Sequence, residues 1–299
     1  MLRALLIFLL FPVAAVAGPL RVVSDIPPVH SLVAKVMEGV GTSELLVPPG
    51  SSPHGFALRP SQARSLQAAD VVVWIGPALT PWLDRAVHTL GSKTRIVTLL
   101  NVEGTHLLEF EDDGHGHDHG HNHDHGGATV DPHAWLDPAN ARVWLSAIAN
   151  VLSEADPDNA ALYRSNAETA GNAIIGKSEQ VKNRIAAARE TPVIFYHDAY
   201  RYFELAFGVR TLTVLAGGDA AAPGAARLSA VRDLLAAHPG TCIFLEPQIP
   251  SRAVEAIASG QQVKSAVLDP LGAGLQPGKE LYDQVLLGIA AAIDECSSR

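Results

Sequence analysis

Thirteen histidines stand in a chain of 299 residues that carries only two cysteines, and their settings divide them into two kinds. Six of them, His115, His117, His119, His121, His123 and His125, alternate with Gly, Asp and Asn in the stretch GHGHDHGHNHDHGG. Neutral imidazoles at alternate positions can chelate zinc in many equivalent ways. Gly and Asp between them oppose regular structure, so the tract reads as a disordered loop over 112-127 that collects metal. Ordering such a loop costs entropy, which makes each of its binding modes weaker than a preformed site. The plainer alternative is a tolerated low-complexity insertion.

His54, His133, His197 and Asp269 belong to the second kind: each is solitary, and each borders Pro or a turn, as Pro53-His54-Gly55, Pro132-His133, His197-Asp198 and Asp269-Pro270. Three imidazoles and one carboxylate suit Zn²⁺ in a closed tetrahedral shell. Taken singly, each has an ordinary reading, since a lone His after a strand is commonly a surface or hydrogen-bonded residue and Asp before Pro is commonly a turn residue or cap. His30, His88 and His238 read as helix-start or helix-surface positions. Only folding would bring the four together, so the elements that carry them decide the matter.

Arg21 to Ser24, Glu44 to Val47, Val71 to Ile75 and Arg95 to Leu99 read as strands, with helices over Val29 to Val40, from a Ser61 cap to Asp70, and over Trp82 to Leu90. The order then repeats: strands over Val193 to Tyr196, Thr211 to Leu215, Thr241 to Leu245 and Ser265 to Leu268, with helices over Ala199 to Phe207, from a Ser229 cap to His238, and over Arg252 to Ser259. Strands alternating with helices imply parallel sheets covered on both faces, here two similar α/β lobes. Asp137-Pro138 and Asp156-Pro157 each start a helix between the lobes, and the second, over about 157-190, would be a strut of about 45 to 50 Å. The domain reading is 18-136 for the first lobe, 137-191 for the linker helices and 192-299 for the second lobe. Parallel sheets place ligands beyond the carboxyl ends of their strands, which is where His54, His197 and Asp269 fall, with His133 just before the first linker helix.

Residues 1-17 carry one positive charge at Arg3, an apolar run from Ala4 to Val13 and Ala15-Val16-Ala17, the pattern of a cleaved secretory signal. No Cys lies near that junction to take a lipid anchor, and export to the periplasm as a soluble monomer is expected. The pair Cys242 and Cys296 suits an oxidising compartment, either as a disulfide tying the C-terminal helix to its lobe or as two buried thiols. A net charge of -9 disfavours nucleic acid as a partner. No HExxH motif is present, and a closed four-ligand shell would leave no position for the water of a zinc hydrolase. An enzyme using the same three histidines, with Asp269 as general base, is the competing reading; a secreted zinc buffer is a third.

HGFALRPSQ at His54 to Gln62, DPHAWLDP at Asp131 to Pro138, FYHDAY at Phe195 to Tyr200, FLEPQ at Phe244 to Gln248 and LDPLG at Leu268 to Gly272 together resemble the metal-binding solute-binding proteins of ABC importers, most closely their ZnuA-type zinc group. The resemblance runs in order through essentially the whole mature chain. It implies two lobes joined by a long rigid helix, a metal in the cleft between them, and delivery to a membrane permease. Carried across motif by motif, it gives His54, His133, His197 and Asp269 as ligands of Zn²⁺ as cargo. One departure stands out: some zinc members have Glu before the first His, where this chain has Pro53, which leaves Asp269 or water as the fourth ligand. The related manganese binders use a carboxylate at the position of His197, and imidazole there moves preference towards zinc. Arg59, Tyr196, Asp198 and Glu246 are candidates to orient an imidazole from behind, and Trp135 to wall the site.

Overall fold

Every side chain of Val71–Trp74 is buried, and so is every side chain of Val193–His197. Apolar runs of this kind form strands that helices cover on both faces. The computed structural model of the chain describes residues 19–110, 130–216, 223–248 and 264–298. The first half runs β1 (Val22–Ser24), α1 (Pro27–Val36), β2 (Ser43–Leu45), α2 (Pro60–Ala68), β3 (Val71–Trp74), α3 (Pro81–His88) and β4 (Arg95–Thr98). Two helices follow, α4 (Pro138–Ala155) and α5 (Ala160–Arg184). The second half runs β5 (Val193–His197), α6 (Arg201–Phe207), β6 (Thr211–Ala216), α7 (Ala225–Ala237), β7 (Cys242–Leu245), β8 (Lys264–Val267) and α8 (Leu281–Ser298). The signal segment, the His-rich tract and the helix expected over Arg252 to Ser259 lie outside the described residues.

The sheets have spatial orders β2-β1-β3-β4 and β6-β5-β7-β8, and every pairing is parallel. The same winding is therefore used twice, as the repeated strand and helix pattern implies. In each sheet the order reverses beside the first strand, which opens a crevice at the carboxyl ends of β1 and β3 and of β5 and β7. The first crevice is filled: Asp25, fully buried after β1, accepts the backbone N–H of Ile26 and of Ile75 at 2.8 Å each. Gly76 follows with φ of 139°, and a Cβ there would meet Thr98 Cγ2 at 3.0 Å, so a side chain would push β3 and β4 apart. The second crevice holds polar groups that face the first lobe.

Two helix starts differ from what the sequence suggests. Arg59, not Ser61, stands at the N-cap of α2, because Pro60 is pre-set for the first helical position and Gln62 accepts the Arg59 N–H at 2.8 Å. Helix α7 starts at Ala225 after an extended Gly224, which leaves Ser229 inside it. The stretch expected as one strut over 157-190 comprises a 3-10 turn, Pro157–Asn159, and then α5. At 1.5 Å per residue its 25 residues span about 38 Å. Gly171 and Gly176 sit within it, and a Cβ at either would meet open space.

One apolar core runs through both halves, from Val22 and Leu32 through Trp144, Tyr163 and Ile174 to Phe195, Leu286 and Ile293. Helices α1 and α8 face each other across the boundary. Lys35 Nζ donates to Asp283 Oδ2 at 3.0 Å, Ser31 Oγ donates to the Lys279 carbonyl at 3.0 Å, and the Tyr282 N–H donates to Ser31 Oγ at 3.0 Å. Lys279 also pairs with Glu38 at the rim. Cys242 and Cys296 form a disulfide that ties β7 to α8, so the disulfide reading of the two cysteines holds. No helix among the described residues is long and apolar enough to cross a membrane.

Candidate metal centre

His197 is the last residue of β5, and it is 5% exposed. Its Nδ1 stands 3.4 Å from Oε1 of Glu246, which directly follows the neighbouring strand β7. The two residues thus occupy the crevice of the second sheet, and of the four candidates to orient an imidazole it is Glu246 that stands behind His197. The Nε2 atom of His197 is buried with no hydrogen-bond partner among the described residues, an arrangement that costs free energy unless a ligand occupies the position. Burial alone would lower the pKa of His197, but the hydrogen bond and charge of Glu246, with Asp198 and Asp131, hold it above the ordinary histidine value.

His133 is fixed differently. Glu109 and Val130 pair in an antiparallel bridge, the Asp131 N–H donates to the Leu108 carbonyl at 2.8 Å, and Tyr202 joins the two by accepting from Leu108 N at 2.9 Å and donating to the Asp131 carbonyl at 3.0 Å. Asp131 Oδ1 then lies 2.7 Å from His133 Nδ1 and accepts the His133 backbone N–H at 2.9 Å. With Nδ1 engaged, Nε2 is the nitrogen His133 offers to an ion. Burial pushes the Asp131 carboxyl up to about 6, partly offset by the His133 N–H. Nothing in the sequence marks Asp131 for this part, although it stands in the DPHAWLDP motif.

Trp135 walls the site as expected, with ring centroids 5.3 Å from His133. It also reaches across the boundary: its indole N–H donates to the Pro270 carbonyl at 2.9 Å, and Tyr282 of α8 donates to the Trp135 carbonyl at 2.9 Å. The loop of His133 is thereby stitched to the second lobe.

His54 comes from the loop between β2 and α2 and is partly exposed. Its ring centroid lies 5.5 Å from that of His133 and 5.5 Å from that of His197, and the last two are 4.9 Å apart. One ligand-competent atom from each of the three lies within 4.8 Å of the others, the one such group of three or more among the described residues. Nitrogens at about 2.0 Å from a tetrahedral zinc would be about 3.3 Å apart, so the three need only a small inward adjustment. Asp269 is not in this group. Its Oδ1 accepts the N–H of Leu271 at 3.2 Å and of Gly272 at 2.8 Å, and its Oδ2 that of Gly274 at 3.3 Å. It nonetheless stands near enough to act, with burial and Glu246, on the Tyr200 phenol, whose pKa is held well above the usual value. Arg59 is exposed at the start of α2, away from any role that its contacts show.

Two α/β lobes of identical winding, bridged by a long helix and presenting three imidazoles at their boundary, define a periplasmic-type binding protein for a metal ion. The sequence matches the family described as ZnuA, zinc-uptake complex component A, periplasmic, over residues 22–296. The chain belongs to that family, whose members are solute-binding proteins and not enzymes. A high-affinity zinc uptake system protein ZnuA of Paracoccus denitrificans (strain Pd 1222) is 40% identical over 297 residues, covering 92% of this chain and 91% of that protein. Its counterpart in Brucella suis biovar 1 (strain 1330) is 35% identical over 306 residues, covering 93% and 92%. Among solved structures, a crystal structure of ZnuA superposes with a TM-score of 0.79 at 21% identity, covering 94% of this chain and all of that one, which shows the fold.

Proposed function

We propose that this chain captures Zn²⁺ in the periplasm between its two lobes, with His54, His133 and His197 as ligands, and hands it to the permease of an ABC importer. The convergence of three imidazoles from remote parts of the chain carries the reading. Capture of zinc for an importer is what membership of the family and the names of the relatives support. The fourth position falls to Asp269, released from its loop N–H groups, or to a water molecule. A set with three imidazoles favours zinc over manganese, which prefers oxygen ligands.

The His-rich tract acts as an auxiliary collector. The described residues that flank it include Glu109 and Val130, which pair with each other, and Val130 stands three residues before His133. Residues 1-17 act as the export signal and are removed, and the mature chain works as a monomer.

The test is zinc stoichiometry by equilibrium dialysis. A chain lacking 114–127 is expected to keep one tightly held ion and lose the weaker ones. The same deletion combined with His54→Ala, His133→Ala and His197→Ala is expected to hold none. One tight ion retained in the triple variant would overturn the cleft assignment, and undiminished extra ions after the deletion alone would overturn the collector.

A further inference from the structure

The three histidines are held with unequal firmness. His197 is part of a strand and His133 sits in a turn braced by Asp131 and Tyr202, and both are buried. His54 is the partly exposed member, carried by an irregular loop between β2 and α2. Of the three imidazoles, His54 is therefore the one on the solvent side, where exchange of ligand for water would start.

That loop is tied to α3. The indole N–H of Trp82 donates to the Pro53 carbonyl at 2.6 Å, on the peptide that leads directly into His54. The ring of Phe56, two residues beyond His54, packs on Trp82 with centroids 5.5 Å apart. Trp82 can serve as a fixed post because its neighbours Leu83 and Val87 are buried against the first sheet. Pro53 is buried beneath it, and proline removes one backbone freedom just before the ligand. Further along, Gln62 donates to the Leu46 carbonyl and accepts from Arg59 N–H, which anchors the far end of the loop. None of these contacts uses a ring nitrogen of the three histidines.

We propose that Trp82 is the positioning residue of the solvent-side ligand, and that by holding the Pro53-His54 peptide it sets how long the site keeps its zinc. This rests on His54 being a zinc ligand, as proposed above. Loss of the indole bond leaves encounter with the ion unchanged, because diffusion and the other two imidazoles govern it, and speeds departure, because His54 swings away more often.

The experiment loads the full chain with one equivalent of zinc and strips it with excess chelator in a stopped-flow instrument, reading the slowest phase. Trp82→Phe keeps the ring contact and removes the donor; it is expected to raise the dissociation rate about five- to tenfold, as loss of one hydrogen bond implies, with association unchanged. Phe56→Ala removes the other tie and is expected to act in the same direction. The visible absorption bands of the cobalt-substituted Trp82→Phe protein should keep their positions, since the ligands are the same. Trp144→Phe is the matched control: on linker helix α4 it loses an indole bond to Thr105 Oγ1 of the first lobe at 3.0 Å, and it should release zinc at the wild-type rate. A wild-type rate in both loop variants, or an equal rise in the control, overturns the role of Trp82 while leaving the zinc site standing. A wild-type chain with no zinc to release overturns the function and this assignment together.

Discussion

Oδ1 of Asp131 lies 2.7 Å from Nδ1 of His133 and binds the backbone N–H of the same residue, so one buried oxygen fixes both the ring and its peptide. Glu246 plays the corresponding part for His197 at 3.4 Å. Carboxylates behind metal-binding imidazoles orient the ring and raise its basicity, and their loss costs about 10- to 100-fold in metal affinity. Asp131→Ala should fall in that range. Asp131→Asn, which keeps an acceptor oxygen but not the charge, should lose less, and Glu246→Gln should lose less than Asp131→Ala because its contact is longer. Competition against a chromophoric chelator measures all three. An Asp131→Ala protein with wild-type affinity would show that the pair serves only the fold.

The disulfide should matter for stability and little for zinc. Cys242 opens β7 at the end of the strand opposite Glu246, and its partner Cys296 lies 54 residues on, near the end of α8. Closing a loop of that size restricts the unfolded chain by roughly 4 kcal/mol. Cys242→Ala combined with Cys296→Ala should lower unfolding stability in urea by about that amount while leaving zinc affinity within about threefold. A zinc affinity that collapses with the disulfide would mean that α8 transmits strain to the cleft.

The strands, and the three histidines that the fold brings together, are legible in the sequence because they depend on local pattern. Val71 to Ile75 and Val193 to Tyr196 are apolar runs that only a covered strand accommodates, and Pro or a turn beside His54, His133 and His197 marks strand ends and connecting loops. Ser61 and Ser229 mislead because a serine suggests a cap wherever it stands, whereas Pro60 and Gly224 decide where the helix begins. Asp131 is silent because an aspartate before proline has an ordinary local use, and only the folded turn shows its oxygen on the imidazole. Glu246 becomes more than a candidate only because β5 and β7 are neighbours. Trp82 and Pro53 meet across 29 residues with no pattern to announce it.

The pH dependence of stability should carry the mark of two acids, half-buried Glu204 and buried Asp25. Glu204 on α6 is pushed up from 4.5 to about 7, first by burial and then by Asp198 and Asp131, with Thr211 and Arg201 opposing. Asp25 is pushed up from 3.8 to about 7 by burial, against its backbone hydrogen bonds. Between the unfolded and folded values the native chain holds protons that the unfolded chain has released, so its stability falls as pH rises through that window and levels off above it. Glu204→Gln removes one of these protons, and its urea midpoint relative to wild type should therefore improve from pH 5 to pH 7. A relative midpoint that worsens over that range would reverse the sign and place the charged carboxylate among the stabilising groups. The measurement belongs on metal-free protein, since zinc adds its own linkage through the histidines.

Lys35 and Asp283 join α1 to α8 across the lobe boundary, with side chains only 9% and 8% exposed. Removing one partner of such a pair leaves a charge stranded in the interior, which costs about 3 to 5 kcal/mol, whereas replacing both with apolar groups of similar size is often neutral. Asp283 is especially exposed to that penalty, because its Oδ1 already has no hydrogen-bond partner among the described residues. Lys35→Met alone should therefore be strongly destabilising in urea, and Lys35→Met with Asp283→Leu should recover most of the loss. The neighbouring bonds of Ser31 with Lys279 and Tyr282 still hold the two helices in register in the double variant. Its zinc affinity should accordingly match that of the wild type, since the loops of His54, His133 and His197 keep their places. If the two substitutions were instead additive in stability, the ion pair would be two independent residues and the lobe boundary would rest on its apolar contacts alone.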